Sequence, residues 1–281
     1  MKTRIITAVI AVALLIPVLI FSATPALPIL IALCSLVAVY EMVSCLGLKK
    51  AYVLNVPLYA VSVALPFVIR YTGDLALNRQ IVLALLLAFS LYFFGILTFS
   101  HGKYKLSDIS NLFFTTFYTL GGFNAILLLR DYESGGKYVY LLVFIGAWVT
   151  DTFAYFCGML LGRGGKHKLI PDVSPKKTVE GSIGGIVFCM LSMVLYGYII
   201  HRINPTFEAN YLLLLLGGLL ISVVSQLGDL CMSVIKRTYG IKDYGKLFPG
   251  HGGMLDRFDS VLAVSIVLSV FCSFFDLFEV I

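Results

Sequence analysis

The sequence predicts an all-α integral membrane protein, a polytopic bundle of about nine transmembrane helices. Three observations predict it. Of 281 residues, 59% are hydrophobic and only 13% are charged, and the mean hydropathy is +0.96, too apolar for a soluble domain of this length. Apolar runs of about 20 residues, long enough for a helix to cross a hydrocarbon core, recur along the whole chain. The basic residues fall in short segments between those runs and form no solvated arm.

The expected spans lie near residues 5–23, 27–46, 53–70, 79–99, 109–129, 138–162, 182–201, 210–235 and 257–278. The first follows Lys2 and Arg4. It is longer than the apolar core of a signal peptide, and a second run begins almost at once, so it reads as a span and not as a cleaved segment. Pro17, Pro28, Pro57 and Pro66 fall in or beside the first three spans, where neighbouring helices can satisfy the carbonyls that proline frees. The sixth span carries Asp151 near its middle and the pair Gly158 and Gly162, a spacing that favours close helix packing. The eighth carries Asp229 near one end, and the ninth opens with Asp256-Arg257-Phe258-Asp259. No internal repeat or soluble domain is evident. Residues 1–137 form a first set of spans, and residues 138–281 form the region expected to be catalytic, with polar loops at 163–181 and 236–256.

Topology follows from counting charges. If the ends of successive spans alternate sides, Arg70, Arg79, Arg130, Lys137 and Arg202 fall opposite the N-terminus, and the other sixteen of the 21 Lys and Arg share its side. The positive-inside rule makes that side cytoplasmic. Both polar loops lie on it. Leaving out those loops and Arg257 reduces the bias to six against five, in the same direction.

The six cysteines, Cys34, Cys45, Cys157, Cys189, Cys231 and Cys272, show no metal-ligand spacing and mostly lie in apolar runs. They read as small buried hydrophobes and not as a disulfide framework. A net charge of +6 without a basic arm points to membrane topology and anionic ligands, not to nucleic acid.

Chemistry is expected between Ser225 and Ser260, which holds Asp229, Asp243, Asp256 and Asp259 together with Lys236, Arg237, Lys242, Lys246 and Arg257. Ionisable groups at the edge of a bilayer core are costly unless paired, hydrated or bound to an ion. On a helix, Ser233 and Lys236 share a face with Asp229. Asp229 could therefore hold a metal while Lys236 and Arg237 meet phosphates, or it could form a structural ion pair with one of them. Asp256 and Asp259, three residues apart, point to one side of their helix. They could cap its N-terminus, or join Asp229 in offering carboxylate oxygens to Mg²⁺. Between them, Pro249-Gly250-His251-Gly252-Gly253 is either a turn or a loop whose successive N–H groups cradle an anion.

A second cluster starts at Asp151, whose position within a span requires a partner cation or a polar cavity. It continues through Tyr155 and Arg163-Gly164-Gly165-Lys166-His167-Lys168 to Ser174-Pro175-Lys176-Lys177-Thr178-Val179-Glu180-Gly181. Lys176 and Lys177 could be topogenic charges, and Ser174 or Thr178 could cap the seventh span. The same hydroxyls and ammonium groups also make a polyphosphate site, although not one with the Walker A pattern.

Taken together, these clusters resemble the phosphatidate cytidylyltransferase, or CDP-diacylglycerol synthase, family. The resemblance rests on Ser233-x-x-Lys236-Arg237-x₄-Lys242-Asp243-x₄-Phe248-Pro249-Gly250-His251-Gly252-Gly253-x-x-Asp256-Arg257-x-Asp259, supported upstream by Asp151-x-x-Ala154-Tyr155 and the 174–181 segment. At the level of motifs it covers roughly residues 148–260. It implies a homodimeric, multi-pass enzyme of the cell inner membrane that uses Mg²⁺, with a second cation possible, to convert CTP and phosphatidic acid into CDP-diacylglycerol and pyrophosphate. The expected catalytic residues are Asp229, Asp256, Asp259, Lys236 and Arg237, with the three aspartates as metal ligands. The expected substrate-binding residues are Ser174, Lys176, Lys177, Thr178, Glu180, Asp151, His251, Gly252, Gly253 and Arg257. Asp151 is either a further ligand or the group that orients a lysine.

Two other readings compete. A CTP-dependent kinase acting on a polyprenol or diacylglycerol would share the nucleotide and metal site but transfer the γ-phosphoryl group. A cation-coupled transporter would place its acids near the bilayer midplane with broken helices or repeats; only Asp151 suits that.

Overall fold

A computed structural model describes residues 2–162 and 167–280. Helices dominate: α1 (Lys2–Ile20), α2 (Ala26–Cys45), α3 (Tyr52–Thr72), α4 (Leu75–Phe99), α5 (Leu106–Arg130), the single turn α6 (Gly136–Val139), α7 (Leu141–Leu161), α8 (Val179–Ile203), α9 (Tyr211–Thr238) and α10 (Leu255–Cys272). Each expected span has its helix, and the protein is an all-α polytopic membrane protein. Among the described residues seven helices are long and apolar enough to cross a membrane, with α6 and α7 counted as one. The 18 residues of α10 include Asp256, Arg257 and Asp259.

Helix ends move from their expected places for local reasons. Asp74 caps α4, accepting hydrogen bonds from Ala76 N and Leu77 N at 2.7 and 3.2 Å, so the helix begins before Arg79. Asn210 does the same for α9 through Leu213 N at 3.1 Å. At its other end α9 continues through Lys236 and Arg237, which place positive charge at the negative end of the helix dipole. Helix α10 stops at Cys272, and the chain beyond it ends in a strand: β3 (Phe207–Ala209) and β4 (Phe278–Val280) are antiparallel, with Glu208 opposite Glu279. A second antiparallel pair, β1 (Lys168–Ile170) and β2 (Ser174–Thr178), folds the loop before α8. These strands are small additions to the expected helices.

The chain divides into two compact units, Met1–Leu128 with Ile241–Arg257, and Leu129–Gly240 with Phe258–Ile281. In the first, Val39, Val43, Leu54, Leu58, Phe89, Phe93, Leu112 and Leu120 form a buried core drawn from α2 to α5. Phe89, Phe93, Phe113 and Phe117 add edge-on and tilted ring contacts. In the second, α7 and α8 touch almost backbone to backbone. A Cβ on Gly181 would collide with the carbonyl of Ala154, one on Gly184 with the side chain of Cys157, and one on Gly185 would come within 2.9 Å of the Thr150 carbonyl. Gly158 faces Thr178 and Gly181 across the same seam, the close packing that its spacing predicts. The Thr150 hydroxyl donates to Ser222 Oγ at 3.0 Å, joining α7 to α9. All six cysteines are free thiols.

Candidate active site

In the second unit, four elements bring polar side chains together. Helix α7 carries Asp151, β2 carries Lys177, α9 carries Asp229, Ser233 and Lys236, and α10 carries Asp259 and Ser260. Lys177 Nζ lies 2.6 Å from Asp229 Oδ2. Ser233 donates to Asp229 Oδ1 at 3.4 Å from one turn further along α9. Asp151 receives the Ser260 hydroxyl at 3.3 Å, and Asp259 accepts the N–H of Ser260 at 2.9 Å. Asp259 also interacts electrostatically with Asp229, Lys236 and Asp151. Three carboxylates and two ammonium groups thus share one polar region in a chain where charge is scarce, and Lys236 is only 8% exposed there.

A cavity of about 180 Å³ opens at this place, lined by Asp151, Ala154, Tyr155, Leu169, Lys177, Thr178, Gly181, Ser182, Gln226 and Asp229. Thr178 forms part of the wall and also caps α8, accepting the N–H of Gly181 at 3.1 Å. Glu180 turns to His167, whose Nδ1 lies within hydrogen-bond distance of Glu180 Oε1. Ser174 is half-buried on β2, while Lys176 and Arg237 are exposed. The Arg163-Gly164-Gly165-Lys166 stretch lies outside the described residues.

In the first unit, the glycine-rich loop closes around carboxylates. Gly250 and Gly252 take φ of 79° and 82°, values that disfavour any residue with a Cβ. Phe248 N donates to Gly252 O at 2.9 Å and His251 N to Phe248 O at 2.8 Å, closing the turn. Asp256 Oδ2 then accepts from Tyr244 N at 2.8 Å and from Gly253 N at 2.9 Å. The N–H groups of Met254 and Leu255 go to Glu41 Oε1 and Oε2, both at 2.9 Å. The loop therefore does present successive N–H groups to anions, but those of residues 253–255 meet the protein's own carboxylates. His251 Nδ1 is buried without a hydrogen-bond partner, and Arg257 is exposed.

The sequence profile of the Cytidylyltransferase family matches residues 2–275. The chain belongs to that family. It is 34% identical over 272 residues to a phosphatidate cytidylyltransferase of Staphylococcus haemolyticus, covering 96% of this chain and 98% of the relative. Proteins of the same name from Staphylococcus saprophyticus and Staphylococcus aureus are 33% and 32% identical over the same shares of each chain. Membership therefore extends through the first 140 residues, where the motifs alone showed only a set of spans.

The resemblance implies Mg²⁺. The donors are hard carboxylate oxygens, which suit Mg²⁺. Among the described residues, no three His, Cys, Asp or Glu stand ready as a ligand group. Lys177 sits on Asp229 Oδ2, and Asp256 spends one oxygen on two backbone donors. The donor type, carboxylate oxygen, is the one a hard divalent ion takes, and at Asp229 that oxygen is shared with Lys177.

Sequence reasoning missed Glu41, Gln226 and Ser260. A signal existed for Glu41: a carboxylate inside the apolar run 27–46 must have a partner. The sequence did not say which.

Proposed function

We propose that this chain is a membrane nucleotidyltransferase that makes CDP-diacylglycerol and pyrophosphate from CTP and phosphatidic acid. The observation that carries this reading is end-to-end similarity to phosphatidate cytidylyltransferases, over 96% of the chain. The grouping of Asp151, Asp229, Asp259, Lys177 and Lys236 supports it. A phosphate oxygen of phosphatidic acid bonds to the α-phosphorus of CTP. The bond from that phosphorus to the bridging oxygen breaks, and pyrophosphate leaves with the electron pair.

The nucleophile is already anionic near neutral pH, so the protein needs no strong general base. It has to bring two anions together and stabilise charge on the leaving group. Lys177 and Lys236 would neutralise phosphate oxygens, with Lys176 and Arg237 adding positive charge from exposed positions. Asp229 and Asp259 would hold Mg²⁺ through their carboxylate oxygens. When bound, the ion would polarise a phosphoryl oxygen and offset the charge of pyrophosphate. Asp151, which accepts the Ser260 hydroxyl, would serve as a further ligand or orient a lysine.

The charge count supports a cytoplasmic N-terminus and a site facing the cytoplasm, in a cell inner membrane. There CTP arrives from the aqueous side and the lipid phosphate lies at headgroup level. A homodimer is the assembly that family resemblance implies. Neither the lipid-kinase reading nor the transporter reading is favoured by the similarity to cytidylyltransferases.

The test is purified protein with phosphatidic acid and labelled CTP, with and without Mg²⁺. CDP-diacylglycerol and pyrophosphate formed only with the ion are the expected products. CDP with a newly phosphorylated lipid alcohol would replace this reading by the kinase, and ion-driven uptake into vesicles without CTP would replace it by the transporter.

A further inference from the structure

Glu41 lies in α2, far in sequence from every motif that carries the family resemblance, and only 4% of it is exposed. Its two carboxylate oxygens are divided between two consecutive backbone donors, Met254 N and Leu255 N, each at 2.9 Å. These are the residues that open α10, where N–H groups have no partner within the helix. The fit around the carboxylate leaves no slack. A Cβ on Gly245 or on Gly253 would run into the Glu41 carboxyl group, so both glycines let the loop backbone close on it. Asp256 makes the complementary closure from inside the loop, through Tyr244 N and Gly253 N. Two acids therefore fix the path of residues 244–256, one from the loop's own helix and one from α2.

We infer that Glu41 is a positioning residue: it holds the Pro249–Gly253 loop and the first turn of α10 in the shape that nucleotidyl transfer uses. It acts through His251, Gly252, Gly253, Asp256 and Arg257, and touches no substrate itself. The inference rests on the reading of that loop as part of a CTP-using site. A glutamine at position 41 has nearly the same shape, but its amide has one acceptor oxygen where the carboxylate has two. One of the two N–H groups would then face an NH₂. An aspartate keeps both acceptors on a stem shorter by one methylene.

The experiment compares purified full-length wild type, Glu41→Gln and Glu41→Asp for kcat, for KM with CTP and with phosphatidic acid, for thermal unfolding, and for hydrogen–deuterium exchange. Glu41→Gln is expected to lower kcat about 10- to 100-fold, as loss of catalytic positioning does. Exchange should rise in peptides covering 244–256 and stay unchanged in α7 to α9, and Glu41→Asp should recover part of the lost kcat. Wild-type kcat and exchange in Glu41→Gln would overturn the inference. So would a loss of activity that only follows the unfolded fraction, with exchange raised throughout the chain. If wild type itself makes no CDP-diacylglycerol, the proposed function fails, while the exchange comparison still decides whether Glu41 holds the loop.

Discussion

Lys177 on β2 and Asp229 on α9 meet at 2.6 Å, with 22% and 27% of their side chains exposed. The contact is an ion pair and does not have the angles of a hydrogen bond. It ties the strand that leads into α8 to the far turn of α9. It also sets a positive charge against a carboxylate at the wall of the cavity, where substrate phosphates would compete for the ammonium group.

Replacing Asp229, Asp256 or Asp259 with Asn should abolish turnover, by about 100-fold or more, and leave each protein folded. Labelled-CTP assays paired with thermal unfolding in detergent check this. Near-normal activity in all three variants would remove the carboxylates from the mechanism.

The two adjacent lysines should separate. Lys177→Ala strips the partner of Asp229 and one wall of the cavity, so KM for CTP should rise about tenfold or more, whereas Lys176→Ala at an exposed position should change it less. The double variant should mainly weaken CTP use. If both single variants leave the CTP dependence untouched, the two lysines serve topology alone.

The seam between α7 and α8 predicts a contrast between two glycines. Gly184→Ala drives a methyl group into Cys157 and should cost about 1–3 kcal/mol, the usual range for overpacking. Gly217→Ala meets nothing nearer than a ring atom of Phe271 at 3.7 Å, and should leave the unfolding midpoint close to wild type. Thermal unfolding in detergent reads both, and an equal response would argue against a tight seam.

Thr150 and Ser222 share the buried hydrogen bond between α7 and α9. A double-mutant cycle with Thr150→Val and Ser222→Ala should return a coupling of about 0.6 kcal/mol, typical of interhelical hydrogen bonds in membranes. A coupling of zero would mean that each hydroxyl finds another partner when the first is removed.

The helices were readable because apolar length is a strong and local signal. The Gly158–Gly162 packing and the Thr178 cap were readable for the same reason, since each rests on neighbours within one or two turns. Long-range pairings were not. Helical spacing, which can be computed from sequence, points to Lys236 or Arg237 on the same helix as the partner of Asp229. The ion pair instead comes from Lys177, on a short strand whose existence depends on tertiary packing. Glu41 shows the same limit. Its burial cost announces that a partner exists, but the donors are two backbone N–H groups more than two hundred residues away, and backbone donors leave no mark in a sequence.

The glycine seam also constrains how a lipid could reach the polar cluster. Where Gly181, Gly184 and Gly185 bring α8 against the backbone of α7, there is no width for an acyl chain to slip through, and parting the helices would sacrifice contacts along several turns. This wall of the second unit is a closed door. A substrate whose tails stay in the bilayer must present its phosphate by way of some other gap, and crosslinkable phosphatidic acid should label α7 and α8 on their outward faces and not along the seam.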